Sequence, residues 1–383
     1  MKNHLFNILA YLIVLTFLFQ PIQTLANSGQ VEISDNASMG AAQTPMPGEP
    51  YGEQFEKEFE MEIEAERQRI LEEHLREEGM PEELLSHKYG SDPQEKPEYI
   101  PPSAEVIAQT KAQVDSFSCA SVTDVPVTEC EALVALYQST NGAGWYHNDN
   151  WLVSSTVDSW YGITISSGHV DKIGLGNNNL SGSIPLQLGN LSNLTYLYLY
   201  DNQLSGSIPL QLGNLSNLQE LHLWGNQLSG SIPAALGNLS NLFVLDLSDN
   251  QLSGSIPAQL GNLSNLKELF LGGNQLSGGI PPELGNLSNL DYLVLDNNQL
   301  SGSIPPQLGN LSNLTDLYLY SNQLSGRIPL TFTNLTVLNF FYFNDTHLCE
   351  PNVPEFLAWK ATVPHWQGTN VVCKMLYLPV TCK

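Results

Sequence analysis

Hydrophobic residues recur at fixed positions between residues 170 and 337. In residues 194–199, LTYLYL, leucines at 197 and 199 alternate with outward-facing residues, and this period of two predicts a β-strand. The surrounding unit of 24 residues is written seven times, for example in residues 218–241. A single strand cannot bury its leucines alone, so we expect the copies to stack into a parallel sheet with one shared core.

Each copy also carries one asparagine directly after the strand. A buried amide is tolerated only when its donors and acceptors are bonded, which predicts a structural role for this position. The asparagines stand 24 residues apart at Asn178, Asn202, Asn226, Asn250, Asn274, Asn298 and Asn322.

The full consensus, LxxLxLxxNxLSGxIPxxLGNL, is the leucine-rich-repeat signature and resembles its plant-type class. This resemblance implies an α/β fold: a right-handed solenoid with a parallel concave β-sheet, capped at both ends. It also implies that the asparagines form a ladder on the backbone of neighbouring turns, and that an extra short strand covers residues 205–209. Within that unit Gly206 would permit a bend, Pro209 would limit pairing, and Gly213 would end a short helical turn.

The pattern decays after the seventh copy. Leu338, Phe341, Phe343 and Leu348 keep the core spacing, but Thr346 replaces the asparagine. We therefore place seven good repeats and one degenerate repeat in residues 170–345, followed by a C-terminal cap at 346–383.

Four segments precede the repeats and their cap. Residues 1–26 resemble a signal peptide, because the apolar stretch is shorter than the roughly 20 residues of a membrane span and ends near a small-residue site; the alternative is a membrane anchor. Residues 27–50 form a predicted disordered linker, 51–90 an acidic amphipathic helix and 91–117 a Pro-containing linker. The acidic helix either docks on a basic partner or is a solvated, marginal helix.

Residues 118–169 resemble the N-terminal cap of extracellular leucine-rich arrays. A helix is predicted at 129–137 with Thr128 as its N-cap, followed by spaced tryptophans and a WxGxT motif at 160–164. Trp145, Trp151 and Trp160 are expected to cover the open end of the first repeat. Many relatives carry cysteines flanking the WxG motif, whereas this chain has Asp158, Ser159 and Ile165 there.

The five cysteines all lie outside the good repeats, at 119, 130, 349, 373 and 382. Their position at the two ends of the repeat array predicts disulfide bonds that close the solenoid of an exported protein. We expect a Cys119–Cys130 bond. The resemblance implies a Cys349–Cys373 bond, with Cys349–Cys382 as the alternative, and the odd count leaves one thiol.

Charge narrows the choice of partner. The net charge of −25 makes nucleic acid an unsuitable ligand. Acidity is concentrated at the start, where residues 1–128 hold 22 Asp and Glu against 8 Lys and Arg. No metal-ligand cluster and no cofactor motif is present, so neither group is expected.

The outward strand positions, equivalent to 196, 198 and 200, form three columns over eight rungs. Ten of these 24 positions are aromatic, against 9% aromatic residues in the whole chain. They also differ from copy to copy, whereas LSGS and GNLSN segments on the other surface hardly change, which favours a diversified binding face. Interleaved carboxylates favour a partner with basic groups. The candidate binding residues are Tyr196, Tyr198, Tyr200, Glu220, His222, Trp224, Asp246, Glu268, Phe270, Tyr292, Asp296, Asp316, Tyr318 and Tyr320.

Two sets of residues on the outward strand positions could instead support catalysis. His222, Asp246 and Ser248 are the residue types of a hydrolase triad, but no element supplies an oxyanion hole. Glu220 and Glu268 lie two rungs apart, near the carboxylate gap of inverting glycosidases, but without an enclosing cleft. We therefore expect no enzyme.

The predicted function is recognition of an extracellular protein or polysaccharide by the concave face, with no membrane span after signal cleavage. The alternatives are a structural spacer or adhesin of the cell envelope and, remotely, a hydrolase. Over residues 128–375 the chain resembles the ectodomains of plant-type receptors and polygalacturonase inhibitors, without a kinase or transmembrane segment. The expected location is secreted or cell-surface, or periplasmic in a bacterium.

Overall fold

The computed structural model of the chain describes residues 116–373. The predicted signal peptide, both linkers before residue 116, the acidic helix and Cys382 lie outside the described residues. Within residues 116–373, no helix is both long and apolar enough to cross a membrane.

The repeats stack in register and share one concave sheet. Parallel pairing joins each rung to the next, and an antiparallel pair at the N-terminal end begins the sheet. Over the described part of the chain its ten strands are, in spatial order, Ile163–Ser166, His169–Gly174, Tyr196–Tyr198, Glu220–His222, Val244–Asp246, Glu268–Phe270, Tyr292–Val294, Asp316–Tyr318, Phe340–Tyr342 and His365–Gln367.

A second sheet follows the turn of each repeat, as the resemblance implied. In residues 116–373 it has eight strands: Ser181–Ser183, Gln203–Gly206, Gln227–Gly230, Gln251–Gly254, Gln275–Gly278, Gln299–Gly302, Gln323–Arg327 and His347–Cys349. Gly206 has a φ of +78°, which explains why glycine stands at this bend.

Short 3-10 helices complete the turns of the solenoid: Leu186–Asn190, Leu210–Asn214, Ala234–Asn238, Ala258–Asn262, Pro282–Asn286, Pro306–Asn310 and Leu330–Asn334. Gly213 lies inside the helix Leu210–Asn214 and does not end it as predicted. A Cβ placed on Gly213 would stand 2.4 Å from the carbonyl oxygen of Ala235. Glycine is therefore required because adjacent turns approach each other closely.

The core is a continuous leucine interior. The leucines at 194, 197, 199, 204, 212 and 215 are fully buried, and Ile208 is 3% exposed. The asparagine ladder runs beside it. Asn250 Oδ1 accepts from the Leu228 amide at 2.9 Å, and its Nδ2 donates to the carbonyls of Leu223, Leu247 and Ser248 at 2.9–3.2 Å.

The N-terminal cap is built on helix α1, Val127–Ser139. The helix begins earlier than predicted: Pro126, not Thr128, is the N-cap, and the Pro126 carbonyl accepts from the amides of Glu129 and Cys130. Proline can hold this position because an N-cap needs a carbonyl and not an N–H. The Glu129 carboxylate turns inward and accepts from the backbone amide of Val170 at 2.8 Å, which ties the cap to the first long strand.

The cap tryptophans cover the open end of the leucine core. Trp145, Trp151 and Trp160 are 5%, 2% and 1% exposed. Trp151 contacts both other rings, with centroid distances of 4.9 Å. A disulfide bond between Cys119 and Cys130 closes this cap.

The C-terminal cap continues the sheet beyond the degenerate repeat. Helix α2, Pro354–Lys360, follows the last rung, and the chain then adds the strand His365–Gln367 in parallel with Phe340–Tyr342. Thr346 partly replaces the missing asparagine, since its hydroxyl donates to the Phe343 carbonyl at 2.7 Å. The second disulfide bond joins Cys349 to Cys373.

Candidate binding face on the concave sheet

The outward residues form columns with the predicted register. In the middle column, Tyr198 pairs with His222, and His222 pairs with Asp246 on the next strand. In the adjacent column, Tyr196 pairs with Glu220 in the same register. Side chains from different repeats therefore lie side by side on one surface. That this surface binds a partner stays a prediction from the sequence.

This surface is packed much more tightly than a free strand face. Of the fourteen candidate residues, only Trp224, Glu268, Tyr292 and Tyr318 are half-buried, and the other ten are buried. Parallel rungs repeat about every 4.8 Å, which is close to the spacing of stacked rings, so neighbouring side chains cover one another. The outward side chains consequently form a packed layer.

Ring stacking along the solenoid sets the orientation of the aromatic residues. Tyr200 and Trp224 are parallel within 5°, with centroids 4.9 Å apart. The opposite face of Tyr200 lies over Gly176, where a Cβ would stand 2.6 Å from the ring. Tyr318 and Tyr342 stack in the same way at 5.2 Å. Because they stack along the solenoid, these rings stand edge-on to the concave surface.

A buried polar network occupies the second and third rungs. The hydroxyl of Tyr198 donates to Oε2 of Glu220 at 2.7 Å, and Nε2 of His222 lies 3.1 Å from the same oxygen. Glu220 is completely buried. Burial raises the pKa of Tyr198, and the neighbouring Glu220 charge raises it further, so the phenol stays protonated.

A similar pair lies on the seventh rung. The hydroxyl of Tyr318 donates to Oδ1 of Asp316 at 3.1 Å. Burial raises the pKa of Tyr318, with a further contribution from the Asp316 carboxylate. Both pairs use a tyrosine hydroxyl to hold a carboxylate, which fixes acidic groups within the face.

His222, Asp246 and Ser248 do not form the hydrogen-bonded relay of a hydrolase triad. Ser248 donates its hydroxyl to Asp246 Oδ1, whereas His222 contacts Glu220. The serine is therefore not hydrogen-bonded to the histidine that would have to accept its proton. Among residues 116–373, no group of three or more His, Cys, Asp and Glu side chains is arranged to hold a metal ion.

The columns are longer than the sequence predicted. His365 pairs with Phe340, stacking on it with centroids 4.2 Å apart, and Gln367 pairs with Tyr342. Residues 365–367 show no trace of the repeat consensus. A period of two over three residues is also too short to identify a strand. Only the docking of the cap brings these residues to the face.

Fold and face together define a capped repeat solenoid that presents a parallel sheet with a polar and aromatic surface. Models of a leucine-rich-repeat region match residues 174–290, and models of the single leucine-rich repeat match 289–311 and 313–335. The repeats in residues 174–335 are therefore leucine-rich repeats.

Solved plant receptor ectodomains have similar repeats. The Arabidopsis receptor kinase HAESA, solved with the peptide hormone IDA and the co-receptor SERK1, is 34% identical over 62% of this chain and 40% of that chain, with a TM-score of 0.53. The ectodomain of the Arabidopsis thaliana receptor kinase GASSHO1/SCHENGEN3, in complex with CASPARIAN STRIP INTEGRITY FACTOR 2, is 33% identical over 61% of this chain and 32% of that chain, with a TM-score of 0.52. The chain thus spans well under half of these ectodomains. No curated protein matches it.

Proposed function

We propose that the chain binds an extracellular protein partner through the concave face of its repeats. The observation that carries this proposal is the composition of the packed layer of outward side chains. Ten aromatic and five acidic residues occupy its 24 positions, whereas the rest of each repeat is nearly identical from copy to copy. Ordered aromatic side chains offer contact area at low entropic cost.

The orientation of the rings favours a protein over a polysaccharide. Sugar rings bind aromatic residues by lying on an open ring face. In the Tyr200–Trp224 and Tyr318–Tyr342 pairs, stacking within the column covers the inner faces. Ring edges, hydroxyls and carboxylates instead suit the amides and basic side chains of a polypeptide.

An extracellular location agrees with two disulfide bonds at the ends of the solenoid. The HAESA and GASSHO1/SCHENGEN3 structures are complexes with the hormone IDA and with an integrity factor, and they support a partner of the same chemical class for this chain.

Capture from native extracellular material tests the proposal. The bait is the exported chain, compared with a variant in which Trp224 and Tyr318 are replaced by alanine. Both residues are half-buried, so the variant keeps its core, unlike one that alters the buried Tyr198. We expect the variant to lose specific partners that mass spectrometry identifies with the wild type.

A matched control removes apolar area from the opposite surface. Leu186 and Leu210 are 55% and 62% exposed, and the equivalent positions in later repeats are Ala234 and Ala258. The double variant Leu186→Ala and Leu210→Ala should therefore fold and retain the partners. Equal capture by the wild type and the concave variant would show that the concave face does not bind them.

A further inference from the structure

Accessible side chains are unevenly distributed over the concave face. On the second, third and fourth rungs, eight of the nine outward residues are buried and Trp224 is half-buried. On the sixth, seventh and eighth rungs, four of the nine outward residues are half-buried, namely Tyr292, Tyr318, Phe340 and Asn344. The strand His365–Gln367 extends this region, because its first residue is exposed and its last is half-buried. A partner that approaches the face therefore meets most of its accessible side chains towards the C-terminal end.

The aromatic rings of this region form one connected group, the C-terminal aromatic cluster, which consists of Tyr318, Phe340, Tyr342 and His365. Phe340 and His365 are parallel within 6°, with centroids 4.2 Å apart. Tyr342 joins them to Tyr318, because it meets Phe340 edge-on at 6.0 Å and stacks on Tyr318 at 5.2 Å. Rings that already pack on one another have fewer rotamers to lose when a partner covers them.

The aromatic residues near the N-terminal cap are covered by their own neighbours. The rings of Tyr196, Tyr198, Tyr200 and His222 contact one another and are only 2–5% exposed. Tyr198 and His222 also direct polar atoms to the buried Glu220 carboxylate. These side chains stabilise the layer from within, whereas the C-terminal aromatic cluster keeps accessible surface at Tyr318, Phe340 and His365.

An accessible carboxylate lies in the same column as Phe340 and His365. Glu268 is half-buried, whereas the other four acidic residues among the outward positions are buried. Consecutive paired strands carry this column in the order Glu268, Tyr292, Asp316, Phe340 and His365. The two ends of this series are four rungs apart, about 19 Å, a distance that an extended polypeptide spans with about six residues.

We propose that the C-terminal aromatic cluster is the main contact for the protein partner, an inference that rests on the proposed function. The partner presents an extended segment that lays an apolar side chain on Phe340 and His365 and a basic side chain beside Glu268. Aromatic residues supply much of the binding energy of protein interfaces, and the carboxylate attracts a basic group. Phe340 and Glu268 are three rungs apart, about 14 Å, so the two partner residues stand about four positions apart.

Peptide display on the full chain tests this assignment. The probe is a library of random peptides of about 12 residues, roughly twice the length that the region spans. We expect the enriched peptides to carry a basic residue and an aromatic or aliphatic residue about four positions apart. Synthetic copies are then titrated by surface plasmon resonance. Phe340→Ala should raise their dissociation constant about tenfold or more, because it removes the central ring of the cluster.

Two further variants complete the test. Trp224→Ala is the matched control, since it removes another half-buried outward ring, and it should change the dissociation constant by less than about threefold. His365→Ala alters only an exposed side chain, so it preserves the fold and should still raise the dissociation constant by about threefold or more. Undiminished binding by Phe340→Ala and His365→Ala, an equal loss in Trp224→Ala, enriched peptides without a basic residue, or no enriched peptide would each overturn the proposal.

The peptide titration needs no native partner, so its outcome is separable from the capture experiment. Loss of native partners in the variant with Trp224 and Tyr318 replaced, together with peptides that bind Phe340→Ala normally, would reject the cluster as the main contact and keep the proposed function. Peptide binding that depends on Phe340, together with unchanged native capture, would reject the proposed function.

Discussion

Replacing Asn250 by alanine probes the interaction that joins consecutive rungs. The side chain makes four hydrogen bonds: it accepts from Leu228 and donates to Leu223, Leu247 and Ser248. Counting four lost bonds would overstate the cost, because the cost depends on which partners are left without another bond.

Three of the four partners of Asn250 keep a second hydrogen bond when its side chain is removed. The Leu223 carbonyl still accepts from Asn226, the Leu247 carbonyl from Asn274, and the Ser248 carbonyl from the amide of Gly225. Only the buried amide of Leu228 loses its acceptor. An unsatisfied buried N–H costs about 1–3 kcal/mol, and the three weakened contacts add to this, so we expect a loss of about 3 kcal/mol.

The assay is equilibrium unfolding in urea followed by circular dichroism, with Gln251→Ala as the control. Gln251 is the adjacent residue and carries an exposed amide, so its removal should change the free energy of unfolding by less than about 0.5 kcal/mol. A loss below about 1 kcal/mol in Asn250→Ala would show that the ladder is not a source of stability.

Aspartate at position 250 gives a sharper test of the same geometry. It keeps the acceptor for Leu228 but turns an oxygen towards three carbonyls at 2.9–3.2 Å. Protonation restores one donor, so the variant should approach the wild type below about pH 4 and become less stable than Asn250→Ala at pH 7. Equal stability of the two variants at neutral pH would refute this reasoning.

Three further predictions follow from packing and burial. Because the pKa of Tyr198 is raised, the contribution of its protonated phenol to stability is complete below the unfolded-state pKa of about 10 and is lost as pH rises further. The thermal midpoint of Tyr198→Phe should therefore decline less steeply between pH 9 and 11 than that of the wild type. An unchanged slope would contradict the burial of this phenol. Gly213→Ala places a Cβ 2.4 Å from the Ala235 carbonyl oxygen, so urea unfolding should show a loss of about 1–3 kcal/mol, and a neutral result would contradict the close approach. Replacing Cys349 and Cys373 by serine opens a loop of 24 residues and should cost the C-terminal cap about 3 kcal/mol, measured as earlier exchange of its amides with deuterium.

The repeats could be predicted in detail because their signal is local and redundant. Every copy has the same strand, turn and core positions, so the register of the columns could be predicted from the spacing of 24 residues. The caps lack that redundancy. The N-terminus of α1 was misplaced by two residues because Thr128 is a better side-chain cap than Pro126, yet the carbonyl of Pro126 satisfies the first helical amides. The strand at 365–367 was missed because tertiary docking, and no sequence pattern, makes it a strand.

The candidate face shows a different limit. The strand period of two identified which side chains point away from the core, but it did not indicate that most of them would be buried. Stacking at one rung spacing buried most of them and turned the rings of Tyr200 and Trp224 edge-on.

Periodicity along the chain was enough to predict the solenoid, its register and the inward and outward residues of each rung, because these depend on contacts between neighbouring copies. The resemblance to leucine-rich repeats added the asparagine ladder. Only the packed structure shows how far the sheet extends, which hydroxyl holds which carboxylate, and how deeply the outward side chains are buried. Those properties depend on the distances between side chains of different rungs, and a distance is fixed only when the backbones that carry the side chains have been packed together.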